Sequence, residues 1–241
     1  MIAASKFMVL SGRPWTASKE IEILDSEKGR SCSASFNFPV EVQYSSAAGF
    51  KDTGIVQCGG QNSNYATTEK CYYLAQDATF HEATYSLQTK RFYASSVALP
   101  NGTFVVTGGI DQNNNRLKTI EIIDTVNGDV SVPQQTLPES ISGHCSILVN
   151  ESVILIIGGD RSGSYSRKTT FFDLQSLKST PGPEMRIARA GFGCATMTSK
   201  VIVAGGWLSS STLTETSEIL DLESNNPSWQ TGKLNIIENI C

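Results

Sequence analysis

The sequence predicts an all-β fold: a β-propeller of four-stranded blades, with about five blades visible in one domain over residues 1–241. Three observations carry that prediction. Short apolar runs ending in two glycines recur with a period of about 49 residues. A second strand, usually closing in Asp, keeps step with each of them. No segment resembles a helix of even ten residues, and the strands are rich in Val, Ile, Phe, Tyr and Thr.

The glycine runs are residues 54–60, 104–109, 154–159 and 202–206, with a weaker copy at 7–12. Glycine opens backbone conformations closed to other residues and lets another chain approach closely. Gly12, Gly59, Gly60, Gly108, Gly109, Gly158, Gly159, Gly205 and Gly206 therefore read as structural, ending an inner strand and turning the chain out of a crowded centre. No pair is followed by Lys-Ser/Thr or by a helix, which argues against a phosphate loop.

The accompanying strands end at Asp25, Asp124, Asp173 and Asp221, with Ala75 in that place in the second copy. A third element precedes each glycine run, at residues 44–48, 93–99, 144–149 and 193–197. Asn101-Gly102, Asn150-Glu151 and Ser199-Lys200 supply the turns that join it to the glycine strand. Cys145 and Cys194 read as equivalent positions, shared with Ser95, that want a small side chain. A weaker fourth strand follows the Asp, as at residues 129–132 and 229–231. One such four-stranded unit cannot bury both faces; stacking successive units around an axis supplies the missing surface.

Composition narrows the function classes. Hydrophobic residues make 39% of the chain and charged residues 17%, the balance of a folded domain. A net charge of −4 lacks the basic footprint of nucleic-acid binding. No apolar run nears the roughly 18–20 residues of a membrane helix. The N-terminus shows no basic region before its short apolar stretch, which Lys6 interrupts, so no signal peptide is expected. Six scattered cysteines, none in a C-x-x-C pair, are expected to be free buried thiols in a reducing, cytoplasmic setting. Asn101-Gly102-Thr103 and Asn150-Glu151-Ser152 are glycosylation sequons and leave the compartment open.

An apolar run with Gly-Gly, a variable loop and a strand closing in Asp resembles the kelch-repeat family over residues 6–232. The family's Tyr before the Asp is replaced by Leu24, Ile123, Phe172 and Leu220, and its later Trp remains only as Trp229. Kelch propellers usually close with six or seven blades. The chain is therefore either a piece of a larger propeller or a small ring closed by its apolar tail, residues 234–241. The resemblance implies a protein or peptide partner, in an actin-binding or ubiquitin-ligase adaptor context. The adaptor role also takes domains that this sequence does not contain.

The loops after the glycine pairs, being repeat-equivalent, project from one face. They bring Trp15, Tyr65, Arg116, Arg161, Tyr165, Arg167 and Trp207, the residue types that dominate binding hot spots, onto a rigid scaffold. Protein binding through that face is the expected function. The alternative is a propeller enzyme acting on a sugar or other small molecule at the channel mouth. The two histidines, His81 in a linker and His144 in an inner strand region, are more than a blade apart, so no metal or other cofactor is expected. His144 reads as a packed histidine rather than a general base.

Overall fold

The computed structural model describes residues 6–10, 18–19, 21–25, 30–33, 37–50, 54–75, 79–161 and 163–233. All of their regular structure is β, in antiparallel sheets. Sheet I has three strands, Lys6–Leu10, Ile21–Asp25 and Arg30–Ser33. Sheet II runs Ser46–Phe50, Gly54–Cys58, Lys70–Leu74 and Phe80–Ser86. Sheet III runs Ser95–Ala98, Thr103–Thr107, Ile120–Asp124 and Val130–Ser131. Sheet IV runs Cys145–Leu148, Val153–Ile157, Thr169–Asp173 and Lys178–Pro181. Sheet V runs Gly193–Met197, Lys200–Ala204, Thr216–Asp221 and Trp229–Lys233. Strands pair in chain order within each sheet, and the first strands of sheets II to V lie against one another in succession. The expected tail strand and Gly12 lie outside the described residues.

The core consists of layers between neighbouring sheets. Phe104 and Val106 of sheet III pack with Val56, Cys58 and Cys71 of sheet II. Val105 and Ile120 face the other way, onto Ile154, Ile156 and Phe172 of sheet IV. Leu155 and Ile157 then meet Val201, Val203 and Leu220 of sheet V. Alternate side chains of one strand thus serve two layers. This is why residues 153–157 read as an unbroken apolar run: both faces are covered.

The repeated landmarks have local causes. Both glycines of each described pair have φ between +57° and +100°. The second glycine's N–H bonds the carbonyl of the segment entering the next sheet: Gly60 to Arg91, Gly109 to Ile141 and Gly159 to Arg189, at 2.8–2.9 Å. The strand-closing Asp organises the following turn. Asp124 Oδ1 accepts the N–H groups of Val126 and Asn127, and Asp173 Oδ1 those of Gln175 and Ser176. These backbone bonds hold both carboxyls below the usual range.

Several expectations change. Tyr44 and Tyr93 stand outside their strands, which begin at Ser46 and Ser95. His81 lies in the fourth strand of sheet II rather than in a linker, its Nε2 2.8 Å from Thr79 Oγ1. Register equates Cys145 with Gly193, not Cys194, because Cys145 faces Ile157 and Gly193 faces Ala204, each just before its glycine pair. The cysteines at 58, 71, 145 and 194 are not free thiols. Cys58 and Cys71 are cross-strand neighbours, with Cα atoms 4.1 Å apart, and form a disulfide. Cys145 and Cys194 bridge the first strands of sheets IV and V. The bridges span 13 and 49 residues, which for loops of that size is worth about 3–4 kcal/mol each. Reduction should lower the calorimetric melting temperature markedly. An unchanged transition in excess dithiothreitol would show that neither bridge supports the fold.

Candidate functional site

Antiparallel pairing places the glycine pairs, the loops that follow them and the segments entering each first strand at one end of the sheets. There the backbone forms a chain of bonds from sheet to sheet. Tyr93 N–H donates to the Tyr44 carbonyl (3.0 Å), Gly143 to Tyr93 (2.8 Å) and Gly191 to Gly143 (2.7 Å). All four residues are left-handed, with φ of 57°, 52°, 57° and 61° in chain order. The two non-glycine members are therefore strained positions of the kind found at functional surfaces.

Aromatic rings gather on this chain of bonds. Tyr44 and Tyr93 stack, with centroids 4.1 Å apart and planes 27° from parallel. The Tyr93 phenol is pushed well above its ordinary range by burial, then by its hydrogen bond with Tyr44 and by the nearby Tyr44 and Tyr165 phenols. It stays protonated and able to hydrogen-bond. Trp207 pairs with Ala190 through two backbone bonds, 2.8 and 3.0 Å, and its indole covers Gly191. A Cβ at Gly191 would sit 3.3 Å from Trp207 Cδ1.

The sequence-predicted residues divide into two groups. Tyr165 and Trp207 join this cluster, whereas Tyr65 sits at a loop tip, 69% exposed. The arginines are engaged with carboxylates of the same end. Arg116 of the sheet III loop bonds Asp160 of sheet IV at 2.5 Å. Arg161, only 10% exposed, bonds Glu139 at 3.1 Å, while Lys168 takes the other oxygen of that carboxylate. Arg167 pairs with Glu184 at 3.1 Å on the surface. Arg116 and Arg161 thus tie the loops together as much as they present charge. Trp15 lies outside the described residues. Tyr44 and Tyr93 are not among the sequence-predicted site residues. The available signal was that both stand fifteen residues ahead of the first glycine of their pair.

His144 follows Gly143 and is buried beneath this end. Its Nε2 lies 2.8 Å from Thr107 Oγ1, which lies 2.8 Å from Ser146 Oγ. Burial, then the Arg161 charge, lowers its pKa to about 3. It is neutral at neutral pH and a poor proton acceptor there. The folded value lies below the unfolded value of about 6.5, so the unfolded chain binds the extra proton first. The stability this represents is complete above pH 6.5 and is lost as pH falls toward 3, at about 1.4 kcal/mol per pH unit. Between pH 6.5 and 5 urea denaturation should show a loss of about 2 kcal/mol, absent in His144→Asn. Equal slopes in the two proteins would contradict a buried neutral histidine.

No protein-family model and no curated protein matches the chain. Among solved structures it is similar to that of YjhT, with a TM-score of 0.71 and 14% sequence identity, covering 82% of this chain and 67% of that one. The two share a fold.

Proposed function

We propose that the chain is a kelch-type β-propeller that binds an extended segment of a partner protein at its glycine-loop end. The observation that carries this reading is the gathering of Tyr44, Tyr93, Tyr165 and Trp207 around the sheet-to-sheet backbone bonds. Ring faces and phenol hydroxyls give large contact area with little side-chain entropy to lose. The Arg116–Asp160 and Arg161–Glu139 pairs hold the loops in place before binding, which reduces its ordering cost.

The test is selection of peptides from a displayed library on the full chain, followed by titration against variants. Trp207→Ala and Tyr165→Ala are each expected to weaken a selected peptide about tenfold or more, with melting within a few degrees of the parent. Peptides indifferent to both changes would refute the site. Saturable binding of simple sugars, weakened by the same substitutions, would instead support the small-molecule reading.

A further inference from the structure

The two sequons occupy equivalent places in the fold. Asn101 and Asn150 lie in the turns joining the first and second strands of sheets III and IV. Antiparallel register puts those turns at the opposite end from the glycine loops: Ala98 faces Phe104 and Leu148 faces Ile154 there, while Ser95 faces Thr107 and Cys145 faces Ile157 at the loop end. Both asparagines are exposed. In each, the side-chain oxygen is turned inward: Asn101 Oδ1 accepts the Thr103 N–H at 3.1 Å, and Asn150 Oδ1 the Ser152 and Val153 N–H groups at 3.0 and 2.8 Å. Among the described residues no hydrogen bond engages either Nδ2, the atom that a glycan would occupy.

The cysteine chemistry points the same way and is independent of the turns. Two disulfides, one across a strand pair and one between neighbouring sheets, belong to an oxidising compartment. The cytoplasmic expectation stands on free thiols and on the lack of a signal-peptide pattern, and these bridges remove the first of those footings.

We infer that Asn101 and Asn150 are N-glycosylated and that the chain matures in an oxidising secretory compartment. Each Asn Nδ2 attacks the anomeric carbon of an oligosaccharide carried on a lipid diphosphate, the donor of the transferase in that compartment. The C–N bond forms as the anomeric C–O bond breaks, the lipid diphosphate departs, and the nitrogen's proton passes to a base of the transferase. Glycans at this end leave the aromatic cluster uncovered.

Peptide mapping of the native protein, purified from the cells that make it, tests both halves. The protein is alkylated before reduction, then treated with peptide N-glycosidase in ¹⁸O-water and digested. The expected result is ¹⁸O-labelled Asp at positions 101 and 150, with Cys58, Cys71, Cys145 and Cys194 unalkylated until reduction. Unmodified asparagine at both positions overturns the glycosylation. Alkylation of those cysteines before reduction overturns the compartment.

Discussion

Replacing Glu218 with Ala is expected to cost about 3–5 kcal/mol, a large share of a domain's stability of about 5–15 kcal/mol. Glu218 is fully buried in sheet V. Its carboxylate accepts the N–H groups of Arg186 (2.6 Å) and Ile187 (3.1 Å) and pairs with fully buried Arg189 at 3.1 Å. Truncation strands a guanidinium and two backbone donors away from water. Sheet III repeats the device: Glu121 accepts from Gln88 (2.6 Å) and Thr89 (3.0 Å) and pairs with buried Arg91, whose charged form burial disfavours. In sheet IV the equivalent positions are Ile141 and Thr170, so both partners are absent together. The double variant Arg189→Ile/Glu218→Thr should therefore recover much of the loss. Urea midpoints of the parent, the single and the double variant decide the matter. A single variant within about 1 kcal/mol of the parent would show that the pair is dispensable.

Gly108→Val should be nearly as damaging. A Cβ there would lie 2.5 Å from the Ile141 carbonyl oxygen, 2.8 Å from Ile141 Cγ2 and 2.9 Å from His144 Cε1. The residue is also left-handed, with φ of 57°. Backbone strain of about 1–2 kcal/mol adds to overpacking of about 1–3 kcal/mol. Gly163 separates these causes, because its φ is +91° but nothing lies within 4 Å of its added Cβ. Gly163→Ala should cost about 1 kcal/mol in the same denaturation series. Parent-like unfolding of Gly108→Val would mean that the next sheet does not approach so closely.

The features legible in the sequence are those with local causes. Each described glycine pair sits where its backbone conformation demands it, and Asp124, Asp173 and Asp221 where a turn two or three residues away does. The rest depends on how one sheet seats on the next. Arg189 and Glu218 are 29 residues apart, and neither signals the other along the chain. Arg116 and Arg161 look available until the facing Asp160 and Glu139 are placed. Spacing along the chain matches Cys194 to Cys145 because the last copy is one residue shorter between its entry residue, Gly191, and its glycine pair. The aromatic cluster is half visible: Tyr165 and Trp207 lie in the short ribbons that follow glycine pairs, but Tyr44 and Tyr93 stand two residues ahead of their strands, where aromatics are ordinary.

The buried arginine–glutamate device occurs in sheets III and V, while Val42 with Tyr72 and Ile141 with Thr170 fill the same places in sheets II and IV. The spacing that restores like to like is thus two sheets, not one. A cassette cut to a single sheet length and moved to the adjacent slot would bring its arginine and glutamate into a setting that evolved around apolar and hydroxyl groups. A cassette two sheets long carries both kinds of setting with it. In terms of modular exchange, the grammar of this chain is a couplet rather than a single line.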